Sequence, residues 1–176
     1  GFDANVTGAD GKVLFAADHP LKGGGTFSNT ATAAALAPTV LQDAIVNAFD
    51  LLVDDRGMAM NRSARYLLVP PQLERSALEI LKSAYVPQSA ENTVNIQYER
   101  LQPFVSRYIT DTNAFFVFGN KGELGSDAHA VKVIWRWKDN FEQDKDFDTK
   151  SVKASLDFRF TYGWSDWRAT YGNAGA

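Results

Sequence analysis

The sequence predicts an α+β fold in which helices pack on a largely antiparallel sheet. Three observations carry that prediction. Val40, Leu41, Ala44, Ile45, Ala48, Phe49, Leu52 and Val53 recur at the spacing of one helical face. Val152, Ala154, Leu156, Phe158, Phe160 and Tyr162 alternate with Lys153, Ser155, Asp157, Arg159 and Thr161, the two-residue period of a strand with one covered face. Helical patterns precede a block of strand patterns, and no repeat of solenoid length occurs, which argues against alternating α/β and repeat architectures.

Taken in order, the first 30 residues are rich in turn formers. The apolar run Lys12 to Ala17 predicts a short strand, followed by loops at His19-Pro20 and Gly23-Gly24-Gly25. Three successive glycines offer no side chain to pack and mark a flexible or tightly bent segment. The helix that begins at Pro38 suits proline at its first position, and Gly57 is placed to end it in the left-handed conformation. Tyr66 to Val69 predicts a strand cut by Pro70-Pro71. Leu73, Ala77, Ile80, Leu81 and Ala84 then predict a second helix, with Glu74 and Lys82 complementing its dipole. Val86 to Asn95 predicts an exposed connection. Strands are expected over Ile96 to Ile109 and Ala114 to Phe118, a longer loop over Gly119 to Asp127, and another strand where Val131, Val133, Trp135 and Trp137 share a face.

Composition narrows the classes without choosing one. The 176 residues are long enough to bury roughly 70% of the surface of the unfolded chain. The 45% hydrophobic and 22% charged residues are ordinary for a globular domain. Apolar runs such as Ala33 to Ala37 fall far short of the ~20 residues that span a bilayer, so no membrane partner is expected. Cysteine is absent, which removes disulfides and thiolate metal sites. A net charge of -3 gives no whole-molecule attraction to nucleic acid. The chain opens Gly1-Phe2-Asp3 with neither an initiator methionine nor a basic, apolar leader, which predicts a fragment or a processed product.

Patterns that suggest chemistry have simpler structural explanations. In Lys22-Gly23-Gly24-Gly25-Thr26 the lysine precedes the glycines, the reverse of a phosphate-binding loop. Asp144, Asp146 and Asp148 open like a calcium loop, but Thr149 replaces the required glycine and Ser155 the bidentate glutamate. His19 and His129 have no second ligand nearby in sequence, and a triad of Ser28, His19 and Asp18 lacks any nucleophile elbow. A hydrolase would need a deep pocket around His19. Trp135, Trp137, Trp164 and Trp167 supply the alternative reading, a carbohydrate- or ligand-binding module that uses exposed tryptophans as a stacking platform. The reading from residues therefore assigns no catalytic, cofactor or metal residue.

The order of elements carries a resemblance. Leu14 to Pro20 with Gly25 to Asn29, the segment YLLVPPQLERSALEILKSA from Tyr66 to Ala84, and Phe147 to Tyr171 with Tyr162-Gly163-Trp164 and Trp167-Arg168 are similar, in that order, to the major capsid proteins of tailed phages, specifically Mu-like major head subunits. That resemblance implies the Hong Kong 97 type capsid fold and a structural, non-enzymatic role in an icosahedral shell, assembled in the host cytoplasm and located in the virion. It implies a lead-in over residues 1–37, a capsid A domain over 38–146, and over 147–176 a strand that returns toward the P domain. The N-terminal arm, extended loop and spine helix would lie upstream of Gly1.

The implied partners are identical subunits in pentamers and hexamers, the upstream portion of the capsid chain, and packaged DNA on an inner face; Lys153, Arg159 and Arg168 are candidates for a mildly basic inner surface, and a solvated strand face explains them equally well. Candidate contact or loop residues are Lys22, Gly24, Thr26, Pro87, Gln88, Gly122, Glu123, Trp164 and Trp167, because polar loops hung on a packed scaffold are where contacts concentrate. No cofactor is implied.

Overall fold

A computed structural model describes residues 2–54, 56–86, 94–120 and 131–176. Two short helices cover one face of a four-stranded sheet, an N-terminal segment covers part of the other, and a long hairpin pairs separately. The sheet consists of β3 (Ala64–Val69), β4 (Gln102–Val105), β5 (Phe115–Gly119) and β8 (Thr170–Asn173) in the order β4-β3-β5-β8. The β3–β5 and β5–β8 ladders are antiparallel and β3–β4 is parallel. A parallel pair needs a crossover connection, and the helix predicted after the double proline lies within it. Pro71–Leu73 forms a 3-10 turn, and α2 follows over Glu74–Lys82.

α1 runs from Pro38 to Ile45 and continues in wider π-type turns through Asp50. Its predicted stripe is buried: Leu41, Ala44, Ile45, Ala48, Phe49 and Leu52 are each 1% exposed or less. All but Leu52 join Ala77, Ile80 and Leu81 of α2, Leu67 and Val69 of β3, and Phe115 and Val117 of β5 in the main core. Gly57 does not end this helix. It has φ 79° in a tight turn, in which the Gly57 N–H donates to the Asp54 carbonyl and the Asp54 N–H to the Met58 carbonyl. The chain leaves the helix at Leu51, six residues earlier than the glycine implied.

Strand side chains of opposite parity meet the second core. Phe116 and Phe118 pack there with Leu14, Phe15, Leu52 and Trp167. The predicted strand at Lys12 to Ala17 does not form, and no described strand pairs with it. One side chain takes the place of a ladder: Asn29 Oδ1 accepts the Ala16 N–H at 2.9 Å, and Asn29 Nδ2 donates to the Leu14 carbonyl at 2.7 Å. The strands of this region are the two-residue β1 (His19–Pro20) and β2 (Thr26–Phe27), joined by a turn with positive φ at Gly24 and Gly25.

Residues 96–109 also depart from the expected strand. Only Gln102–Val105 pairs, and Asn95 folds back to donate to the carbonyls of Ile80 and Ser83 at the end of α2. Such caps satisfy carbonyls that the helix itself leaves open.

The second core explains why glycine occupies position 172. A Cβ built there would lie 2.6 Å from Phe15 Cγ, inside van der Waals contact. Gly172→Ala is expected to destabilise the protein by about 1–3 kcal/mol, the cost of overpacking a filled core. Gly163→Ala, where nothing lies within 4 Å, is the control and should leave the melting temperature nearly unchanged.

Candidate subunit-contact surface

β6 (Val131–Lys145) and β7 (Val152–Trp164) form an antiparallel hairpin that pairs with no other described strand. At ~3.3 Å per residue, 15 residues of β6 extend about 50 Å. The turn is set by Asp146, whose carboxylate is held below its ordinary value by a hydrogen bond from the Thr149 side chain and by the N–H groups of Asp148 and Thr149 that it accepts. The acidic run that resembled a calcium loop therefore contains a turn-forming aspartate.

Register decides which side chains share a face. Val131 pairs with Trp164, Val133 with Tyr162, Trp135 with Phe160 and Phe141 with Leu156, so one face gathers the apolar residues of both strands. Register shifts between Trp135 and Trp137 and between Trp137 and Asn140 interrupt the pattern. Trp137 stands opposite Arg159, not in line with Val131, Val133 and Trp135 as simple alternation implied. The apolar face is bare: Val133 is 59% exposed, Trp135 50%, Phe158 55%, Phe160 46% and Tyr162 80%. Among the described residues, then, nothing covers the face that was expected to be covered. Its rings make contact with one another, Trp135 with Phe160 at 5.1 Å and Phe158 with Phe160 at 6.0 Å.

An exposed apolar face of this length marks an interaction site, since a two-stranded ribbon cannot bury its own side chains. Covering each of these half-exposed residues contributes on the order of 1 kcal/mol. Trp164, the last residue of β7, is half-buried against the second core and anchors the base of the hairpin there.

The nine candidate contact residues separate into three groups. Lys22, Gly24 and Thr26 lie exposed on the β1–β2 turn. Pro87, Gln88, Gly122 and Glu123 lie outside the described residues, as does His129. The tryptophans occupy the hairpin base, where Trp167 requires a correction. It is 5% exposed, packed in the second core, and does not present a contact surface. The DNA-facing candidates do not form one patch. Lys153 lies 3.8 Å from Asp146 near the hairpin turn, Arg159 faces Trp137 in mid-strand, and Arg168 pairs with Asp166 at 3.1 Å beyond the base.

The tryptophans also fail to make a common stacking platform. Trp135 packs on Phe160, Trp137 is displaced by the bulges, Trp164 is half-buried and Trp167 is buried. The paper triad is not assembled either. Asp18 pairs with Lys12, Ser28 Oγ donates to the Thr30 carbonyl, and His19, fully buried, meets Asp10 at 2.6 Å. Among the described residues no cluster of His, Cys, Asp and Glu could hold a metal ion, and no helix is long and apolar enough to cross a membrane.

Burial pulls the Asp10 carboxyl upward, but its hydrogen bonds with His19 and with the Lys12 N–H outweigh that, leaving it below its ordinary value. A carboxyl depressed by folding contributes stability above its unfolded value of about 3.9 and loses it as pH falls through the folded value. The Asp10 contact should therefore weaken progressively below about pH 4. Near-ultraviolet dichroism of Trp167 checks this: Asp10→Asn should remove that acid-dependent component.

Two kinds of comparison place these features. The profile of the phage capsid protein family matches residues 2–173. No curated protein and no solved structure matches the chain.

Proposed function

The chain belongs to the phage capsid protein family, and from that premise we propose that it is a major head subunit that self-assembles into an icosahedral shell around a phage genome. Membership makes it a structural protein of the virion that assembles with other capsid subunits. The α+β architecture is compatible with a capsid fold. The finer reading is the Hong Kong 97 type fold of Mu-like head subunits, with an A domain over residues 38–146, a returning strand over 147–176, and rings of five and six copies. Ring-forming contacts of this kind are heterologous and close by symmetry.

One observation carries the proposal: the bare apolar face of the β6–β7 hairpin, which a protein working alone in water would not maintain. In this reading the upstream portion of the capsid chain covers that face, and the exposed β1–β2 turn lies at a subunit boundary. Packaged DNA meets the inner surface of the shell.

Electron microscopy of particles formed by the complete capsid chain tests the proposal. Closed shells in which protein covers Trp135, Phe158 and Phe160 are expected. A chain that stays unassembled under all conditions, or shells in which those rings face solvent, would contradict it.

A further inference from the structure

The first bulge of β6 gathers two arginines and a tryptophan in mid-hairpin. Trp135 pairs with Phe160 and Trp137 with Arg159, so two steps along β6 match one along β7 and Arg136 is the extra residue. An inserted residue of this kind re-aims its side chain and bends the strand. Here it opens a groove of about 460 Å³ lined by Arg136, Trp137, Asp157, Phe158 and Arg159. The Trp137 indole is 60% exposed. Asp157 lines the groove without pairing, and among the described residues no carboxylate pairs with either guanidinium.

Farther along the hairpin the charge reverses. Arg159 and Asp157 share one face of β7 with Ser155 and Lys153, whose register partners are Glu142 and Asp144. Both of these acids are exposed and neither is in an ion pair; Glu142 accepts only a hydrogen bond from Asn140 Nδ2 at 2.8 Å. The nearby lysines are placed elsewhere. Lys153 lies 3.8 Å from Asp146, Lys150 stands over the Phe147 ring, and Lys145, opposite Val152, falls on the apolar face. A paired ribbon cannot fold its end back onto its middle. Asp144 is seven residues beyond Trp137, about 23 Å at ~3.3 Å per residue, so the acidic end and the arginine groove of one chain cannot meet.

We infer that the acidic end of one copy's hairpin, through Glu142 and Asp144, docks in the arginine groove of a second copy. Charge complementarity identifies the occupant. Two guanidiniums beside an exposed indole suit a carboxylate, which they hold bidentately against an aromatic wall. The same chain carries unpaired carboxylates at a place that only another copy can bring to the groove. Complementary charges of this kind fix register and reject an alignment of like on like. The contact rests on the reading that copies of this chain assemble. It uses the face of the ribbon opposite Trp135 and Phe160 and adjoins theirs at Phe158, so that face stays open to the upstream portion of the capsid chain.

Charge reversal in the capsid chain tests the contact, with assembly followed by light scattering and folding by circular dichroism. All four side chains to be replaced are exposed, so the subunits should stay folded. Arg136→Glu with Arg159→Glu, and separately Glu142→Lys with Asp144→Lys, should each raise the concentration needed for assembly about tenfold or more. The variant with all four changes should return to within about threefold of the original chain, a recovery that a merely local role for any of the four would not produce. Reversals without effect, or a fourfold variant no better than the double variants, would overturn the inference while leaving shell formation intact. If the groove variant instead loses binding to a short single-stranded DNA oligonucleotide, and the fourfold variant recovers no assembly, the groove is a nucleic-acid site and the inference also falls. An original chain that never associates contradicts the capsid reading as well.

Discussion

Carrying Phe158→Asp and Phe160→Asp together, the capsid chain should fail to form shells while its subunit keeps its fold. Both rings lie on the bare face of β7 and touch each other, not the body of the protein. In the free subunit the new carboxylates are solvated, so melting should change by no more than a few degrees. In an assembled shell the same carboxylates would be desolvated without a partner, a cost of several kcal/mol for each subunit. About 3 kcal/mol at one contact already weakens it more than a hundredfold, and a shell repeats that contact in every subunit. Light scattering on assembly reactions measures the loss, and circular dichroism of the same samples establishes that the subunit remains folded.

Phe115→Ala should have the opposite signature, a subunit that no longer folds stably. Phe115 is fully buried at the centre of the four-stranded sheet and forms part of the main core with α1 and α2. It also packs against Tyr171 of β8, with ring centroids 6.4 Å apart. Removing a buried phenylalanine costs about 3–5 kcal/mol through lost transfer energy and the cavity left behind. That is a large share of the stability of a domain of this size. Urea unfolding followed by tryptophan fluorescence should show the midpoint fall sharply with little change in slope.

These two residues illustrate what was legible in the sequence. Phe115 sits in a run of apolar residues between turn signals, and the helix stripes that cover it have clear 3.6-residue spacing, so the main core could be read locally. The alternation of β7 was equally plain, but the two bulges in β6 leave no local mark. They move Trp137 opposite Arg159 and break the face that alternation from Val131 to Trp137 predicts.

Other features depend on partners distant in sequence. Asn29 replaces a strand for Leu14 and Ala16, Asn95 caps α2, and β8 joins the sheet through Gly172, where only a missing side chain leaves room for Phe15. Trp167 was a contact candidate because polar connections on a packed scaffold are where contacts concentrate. Its stacking on His19, 148 positions earlier in the numbering, buries it instead. Exposure of the hairpin face was partly foreseeable, since an apolar strand near the end of a capsid-like sequence needs a neighbour. The pairing geometry then identified which residues form that face.

The central claim is that this face is an interface within the shell. Hydroxyl-radical footprinting of Trp135, Phe158, Phe160 and Tyr162, compared between free subunits and assembled particles, tests it most directly. The account predicts that all four side chains react readily in the subunit and become strongly protected together in the particle. Equal reactivity in both states would contradict it and would leave the hairpin without a role in assembly.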